Sequence, residues 1–151
     1  MPLLLALLLS AFPSNSMTSW MRLESFHLAI GMTRDEVVKE IAIWNPKYGR
    51  DKNEIVIDYS GDKALTLELK KDRLRSVRFE LFAFLPQIRK AFDEQKTYLV
   101  ESRGKPRKST SAVLVYDNVL PNVMVVVTDD PHSVQGKKGL GALAVRYYDP
   151  R

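Results

Sequence analysis

Three runs of strict two-residue alternation, between residues 55 and 81, constrain this chain more than any other feature. Ile55, Ile57 and Tyr59 alternate with Val56 and Asp58. Leu65, Leu67 and Leu69 alternate with Thr66, Glu68 and Lys70, and Val77, Phe79 and Leu81 with Arg78 and Glu80. Successive side chains of a strand point to opposite faces, so each run has one apolar side and one largely polar side. Ser60-Gly61-Asp62-Lys63 and Lys71-Asp72-Arg73 supply turn chemistry between the runs. Three strands joined this way make an antiparallel meander, apolar on one face and charged on the other.

The apolar face needs a cover, and the residues before it provide one. Thr33-Arg34-Asp35-Glu36 has the form of a capping box, with Thr33 as N-cap and Glu36 three residues on. Met32 and Val37 are placed for the accompanying hydrophobic staple, and two acids in the first turn suit the helix dipole. Val37, Ile41 and Trp44, with Val38 beside them, form an apolar stripe at helical spacing, and Asn45-Pro46 stops it. The spacing predicts a helix from about Arg34 to Trp44.

The order then recurs. Leu85-Pro86 opens a helical segment in which Leu85, Ile88, Phe92 and Leu99 lie roughly on one side. Strand-like runs follow at Ala112–Tyr116, Val123–Thr128 and Ala142–Tyr148. The expected fold is a single α+β domain over residues 17–151, with two helices packed on an antiparallel sheet in αβββ–αβββ order. A helix plus meander occupies 28–82, and a second helix plus strands occupies 85–149. Read in sequence, the halves share no residue-level identity, so the repeat is one of architecture.

Composition narrows the function classes. At 45% hydrophobic and 27% charged residues in 151, the chain has globular proportions that exclude wholesale disorder. With no cysteine it has no disulfide, thiolate metal site, cysteine nucleophile or cysteine-borne lipid anchor. The net charge of +5 falls entirely after residue 21, since the first charged side chain is Arg22. That excess suits an acidic protein patch, an anionic membrane surface or nucleic acid.

Leu3–Leu9 is an apolar run of signal-peptide length, broken by Pro13. Ser14 and Ser16 are small residues at the −3 and −1 positions of a cleavage site after Ser16. The reading is a signal peptide over 1–16 and a periplasmic or secreted domain. A charged n-region is missing, and an apolar helix packed on the domain is the competing reading. No later apolar run approaches the length of a transmembrane span.

Leu28-Ala29-Ile30-Gly31-Met32-Thr33, followed by Asp35-Glu36-Val37, resembles the opening of the BamE (SmpA/OmlA) proteins and of related small exported domains with the fold of β-lactamase-inhibitor protein. Tyr59, the Leu65–Leu69 run and Leu74 to Phe79 are similar in kind and order, so the resemblance covers about residues 28–82. It implies non-catalytic protein binding through the sheet face or loops, with no cofactor. BamE is a lipoprotein of one such unit. This chain lacks the cysteine and continues for about 70 residues beyond the match.

Candidate binding residues follow from charge and exposure. Arg103, Lys105, Arg107 and Lys108 form the densest basic run, and Lys137 and Lys138 add to it if the two loops lie at the same end. Such a loop docks phosphate groups or simply stays solvated. As a cytosolic alternative, it would serve a nucleic-acid or anionic-surface binding module, a reading that export makes poor. Arg78, with Arg73 and Arg75, puts positive charge on the third strand, whose polar face also carries Thr66, Glu68 and Glu80. Tyr48, beyond the end of the first helix, is a candidate partner anchor, whereas Trp44 reads as core. Asp129-Asp130-Pro131-His132 reads as turn chemistry rather than a metal or acid–base cluster. Gly136–Gly141 precedes a strand and so lacks the context of a phosphate loop. No catalytic residue and no metal ligand is assigned, and the expected partner is a protein, acidic or membrane-associated.

Overall fold

In the computed structural model, residues 16–129 and 139–151 are described. Helix α1 spans Arg34–Ile41 and is followed by strands β1 (Lys47–Tyr48), β2 (Glu54–Ser60), β3 (Lys63–Lys70) and β4 (Arg73–Phe84). Helix α2 spans Leu85–Arg103 and leads to β5 (Lys108–Ser109), β6 (Val113–Tyr116), β7 (Asn122–Thr128) and β8 (Leu140–Tyr148). All eight strands form one antiparallel sheet in the order β1-β2-β3-β4-β8-β7-β6-β5.

This corrects the αβββ–αβββ expectation of two helices on the sheet. The chain is dominated by a single eight-stranded sheet, with four strands after each helix. The two strands absent from that expectation, β1 and β5, are two residues each, too short to show any period. The seam between the halves, β4 against β8, joins segments far apart in sequence, a pairing that local pattern does not encode.

Helix α1 is shorter than its apolar stripe predicts. The Thr33 hydroxyl accepts from the Glu36 amide at 3.3 Å, the N-cap half of the capping box. After Ile41 the chain tightens into a 3-10 turn over Ala42–Trp44, and Asn45 ends it in the left-handed region at φ 51°. Arg34 ties this helix to two turns at once. Its guanidinium pairs with Asp72 at 2.8 Å and donates to the Lys52 carbonyl and the Asn53 side chain at 2.6 Å each. Gly31, at φ 98°, allows the preceding main chain to exchange hydrogen bonds with β4: the Gly31 amide donates to the Leu74 carbonyl, and the Leu74 amide to the Met32 carbonyl.

Eight residues of helix bury only Val37 and Ile41, which is too little to cover β2–β4. Residues 17–28 complete the cover, with Trp20, Met21, Phe26 and Leu28 buried in the same core as Ile57, Leu65 and Phe79. Trp20 stacks on Tyr59 at 5.5 Å, and Trp44 meets Phe26 and Tyr59 at 5.3 and 5.4 Å. Over the second half, α2 buries Ile88, Ala91, Phe92 and Leu99 against β8, β4 and β7. Gly141 allows the approach of that helix, because a Cβ there would lie 2.8 Å from Leu85 and 2.9 Å from the Thr128 carbonyl oxygen.

Candidate functional site

Both helices and the N-terminal segment pack on one face of the sheet, leaving the other face without a cover among the described residues. Register decides what stands there. Following the cross-strand partners from edge to edge gives Lys47, Val56, Thr66, Arg78, Arg146, Met124, Val115 and Lys108. At about 4.8 Å per strand this row is about 34 Å long. It is also symmetric. From each edge inward the residues are Lys, Val, a variable position and Arg, and the two arginines face each other across the β4–β8 seam. The core side obeys the same local two-fold relation: Val77 and Phe79 correspond to Val145 and Tyr147, and Phe79 meets Tyr147 edge-on at 5.8 Å.

Two arginines directly opposite each other are unfavourable, by about 0.2–1 kcal/mol for like charges at such a position. The two are held differently. Arg78 pairs through Nε with Glu80 at 3.2 Å. Arg146 donates from Nε to the Ser76 hydroxyl at 2.8 Å and lies over the Tyr148 ring at 4.6 Å. It meets no carboxylate within ion-pair distance among the described residues. A guanidinium with its Nε occupied and its plane stacked presents the two remaining nitrogens as a fork, the geometry that takes a carboxylate in bidentate fashion.

Beside Arg146, the sheet and the C-terminal residues enclose a cleft of about 320 Å³ lined by Glu68, Lys70, Arg75, Ser76, Asp149 and Arg151. Asp149 does not neutralise Arg146. Its carboxylate is bonded to Arg151 at 2.9 Å and to Arg75 at 3.2 Å, and the Arg151 hydrogen bonds hold its pKa down to about 2. Toward the α2 end of β4 and across the seam the open face turns apolar, with half-buried Phe82, Val113, Met124, Val126 and Leu140 and the exposed Phe84. The face therefore offers a cationic centre, an apolar flank and a lysine at each end.

The residues anticipated from sequence fall into different settings. Arg78 stands at the centre of the open face, half-buried, as do Glu68 and Glu80, while Thr66 is buried between its larger neighbours. Tyr48 is exposed on edge strand β1 and, with Arg34, Val38 and Lys52, lines a separate groove of about 290 Å³. The basic run does not act as one patch. Arg103 donates to the Val119 and Pro121 carbonyls at 3.2 and 2.8 Å, clamping the β6–β7 turn, and Arg107 pairs with Asp117. Lys105 is exposed, and Lys108 sits on β5 at one end of the open-face row. Lys137, Lys138, Asp130 and His132 lie outside the described residues, as does all of the expected signal segment except Ser16, while Asp129 is exposed. His27, just before the first helix, is exposed at φ 53° and lies 3.4 Å from Glu40.

Arg146, Ser76 and Lys47 are the site residues that the sequence does not single out. Alternation along 142–148 puts Arg146 and Tyr148 on the polar side, but only register places Arg146 opposite Arg78. The largest cleft among those described, about 440 Å³, runs between the 3-10 turn Leu23–Phe26, α2 and the β6–β7 turn. Its cation, Arg103, is already spent on carbonyls. Compared with protein-family models, curated proteins and solved structures, the chain finds no match.

Proposed function

We propose that the protein is a non-catalytic binding domain of the cell envelope whose open sheet face receives an acidic protein partner. The observation that carries this reading is Arg146. It is held in place by Ser76 and Tyr148, set against a second arginine and left without a carboxylate on a face that nothing described covers. A buried or half-buried arginine fixed in this way gains most when a partner carboxylate completes it. The apolar residues beside it supply the desolvated surroundings in which such a pair gains strength. The likeness of residues 28–82 to BamE-like modules, which are protein-binding, points the same way.

The cytosolic alternative, nucleic-acid or anionic-surface binding through residues 103–108, has less behind it. Arg103 and Arg107 are engaged within the fold, which leaves Lys105 and Lys108 as its uncommitted charges.

A photo-crosslinking residue at Val126, on the open face, tests the proposal in exported protein. The expected product is one acidic protein, captured in proportion to its concentration and lost in Arg146→Glu. With that partner purified, Arg146→Ala should weaken affinity about 10–100-fold, and added salt should weaken the wild type more than the variant. Affinity that ignores both Arg146 and salt would overturn the reading. So would tight binding to a defined oligonucleotide or to phosphatidylglycerol vesicles that survives Arg146→Glu but fails in Lys105→Glu.

A further inference from the structure

On the helix side of the molecule, away from the open face, the Glu94 carboxylate of α2 is filled by the start of the described chain. The Ser16 and Thr18 hydroxyls donate to Oε1, the latter at 2.9 Å. The Thr18 amide donates to the same oxygen at 3.1 Å, and the Met17 amide donates to Oε2 at 3.2 Å. Burial alone would raise this carboxyl, but those hydrogen bonds outweigh it and hold the group below its ordinary range. Four neutral donors converge on one charged group, with no cation in ion-pair distance of it among the described residues.

The main chain from Met17 onward is anchored without Ser16. The Trp20 indole donates to the Met17 carbonyl at 3.0 Å, the Met21 amide donates to the Thr18 carbonyl at 2.9 Å, and Met17 itself packs on the core. Ser16 contributes only its hydroxyl, which donates to Glu94 and accepts from the Ser19 amide. Ser14 and Ser16 are also the small residues that a leader peptidase requires at −3 and −1.

We propose that Glu94 is the receptor for a new N-terminus, created by hydrolysis of the Ser16–Met17 peptide bond and docked as an α-ammonium. Water adds across that bond under a leader peptidase. Ser16 leaves with the leader as its C-terminal carboxylate, and the Met17 nitrogen gains a hydrogen and then, at neutral pH, a proton. One amide donor thereby becomes a charged group with three donors, already 3.2 Å from Oε2. A full ion pair with a charge-assisted hydrogen bond replaces the contacts that leave with Ser16. The inference rests on residues 1–16 being an export signal and is independent of what binds the sheet face.

The full chain, produced in an exporting host and recovered from the periplasm, tests it first by intact mass and N-terminal sequencing. The expected species begins at Met17. Any other first residue, or retention of the leader, overturns the assignment while leaving the open-face experiments unaffected. A second measurement tests the docking. In the processed protein the α-amine should titrate above the ordinary range of about 7.7–8.0, and Glu94→Gln should return it there. Acetylating that amine and Glu94→Gln should each lower Tm by about 2–4 °C, and the two together by no more than either alone. Equal amine titration in wild type and variant would overturn the docking.

The pH signs are opposite for the two partners. The depressed Glu94 contributes fully above the ordinary carboxyl range, and its contribution is lost as pH falls through its folded value. A raised amine contributes below its ordinary range and is lost as pH rises through its folded value. Arg22, on the N-terminal segment, and Lys90, Tyr98 and Glu101, on α2, line the same shallow cleft and must be held constant in that comparison.

Discussion

The two halves of the molecule build the same sheet surface under different covers. Over β2–β4 the helix is eight residues long, and the shortfall is made up by rings: Trp20 and Phe26 from the N-terminal segment, with Trp44, Tyr59 and Phe79. Over β8, β7 and the end of β4 a nineteen-residue helix lies on a mainly aliphatic layer that includes Val123, Val125, Leu143 and Val145. Along one row the open faces do not diverge in this way, since each half contributes Lys, Val and Arg at matching register. Cover is interchangeable because apolar burial is nondirectional, whereas a charge on an open face has to stand where its ligand will be.

The largest test of that contrast is at the seam. Phe79 meets Trp20, Phe26 and Tyr147, so it joins the first cover to the second half of the sheet. Phe79→Ala should cost about 3–5 kcal/mol in urea denaturation, and fluorescence and far-UV signals should still coincide in one transition. If the two signals separated, with the tryptophan-containing half melting first, the halves would be independent units and the continuous sheet would not couple them.

A smaller effect, of opposite sign, distinguishes the second cover. Gln95 faces the core from α2, fully buried, and neither its amide oxygen nor its nitrogen has a partner among the described residues. Such groups lose their water and receive nothing in return. Gln95→Leu, close to it in volume, should raise stability by about 1–2 kcal/mol. A loss of stability instead would show that the amide is satisfied in solution. The corresponding weak point in the first half is the start of α1, where Thr33→Ala should cost about 1 kcal/mol through loss of the Glu36 cap.

How much of this was legible in the sequence follows the range of the interactions concerned. The capping box at Thr33 and the alternation at 55–59, 65–69 and 77–81 depend on neighbours within a few residues, and they mark the start of α1 and the cores of β2–β4. β1 and β5 carry no pattern because two residues contain no period. The cover from Trp20, Met21 and Phe26 has neither helical nor strand spacing, so nothing local announces it. The order of elements recurs in a linear reading, but the residue-level match between the halves is invisible there, because loops of unequal length put Lys47, Val56 and Arg78 out of step with Lys108, Val115 and Arg146. For the same reason the basic run at 103–108 stands out as a string of charges although Arg103 and Arg107 are tied into the fold. The open-face arginine left without a carboxylate among the described residues, Arg146, lies in sequence among Ala144, Val145 and Tyr147.

The smallest effect bears most directly on why that arginine is there. If Arg146 serves stability, its hydrogen bond to Ser76 and its stack on Tyr148 outweigh the repulsion from Arg78, and removing it is a net cost. If it serves a partner, that repulsion, eased only by the pairing of Arg78 with Glu80, outweighs those contacts in the free protein. Arg146→Gln keeps a donor for Ser76 and removes the charge. At low ionic strength the variant should therefore equal or exceed the wild type in stability by about 0.5 kcal/mol, a margin that closes near 1 M salt, where the Debye length is about 3 Å. The same substitution should weaken the acidic partner. A variant less stable at every salt concentration, with partner affinity intact, would make Arg146 a structural residue and leave Lys47, Arg78 and Lys108 as the charges of the open face. A variant more stable alone and weaker in complex would show a row held at register by its ligand, the property that the two halves share while their covers differ.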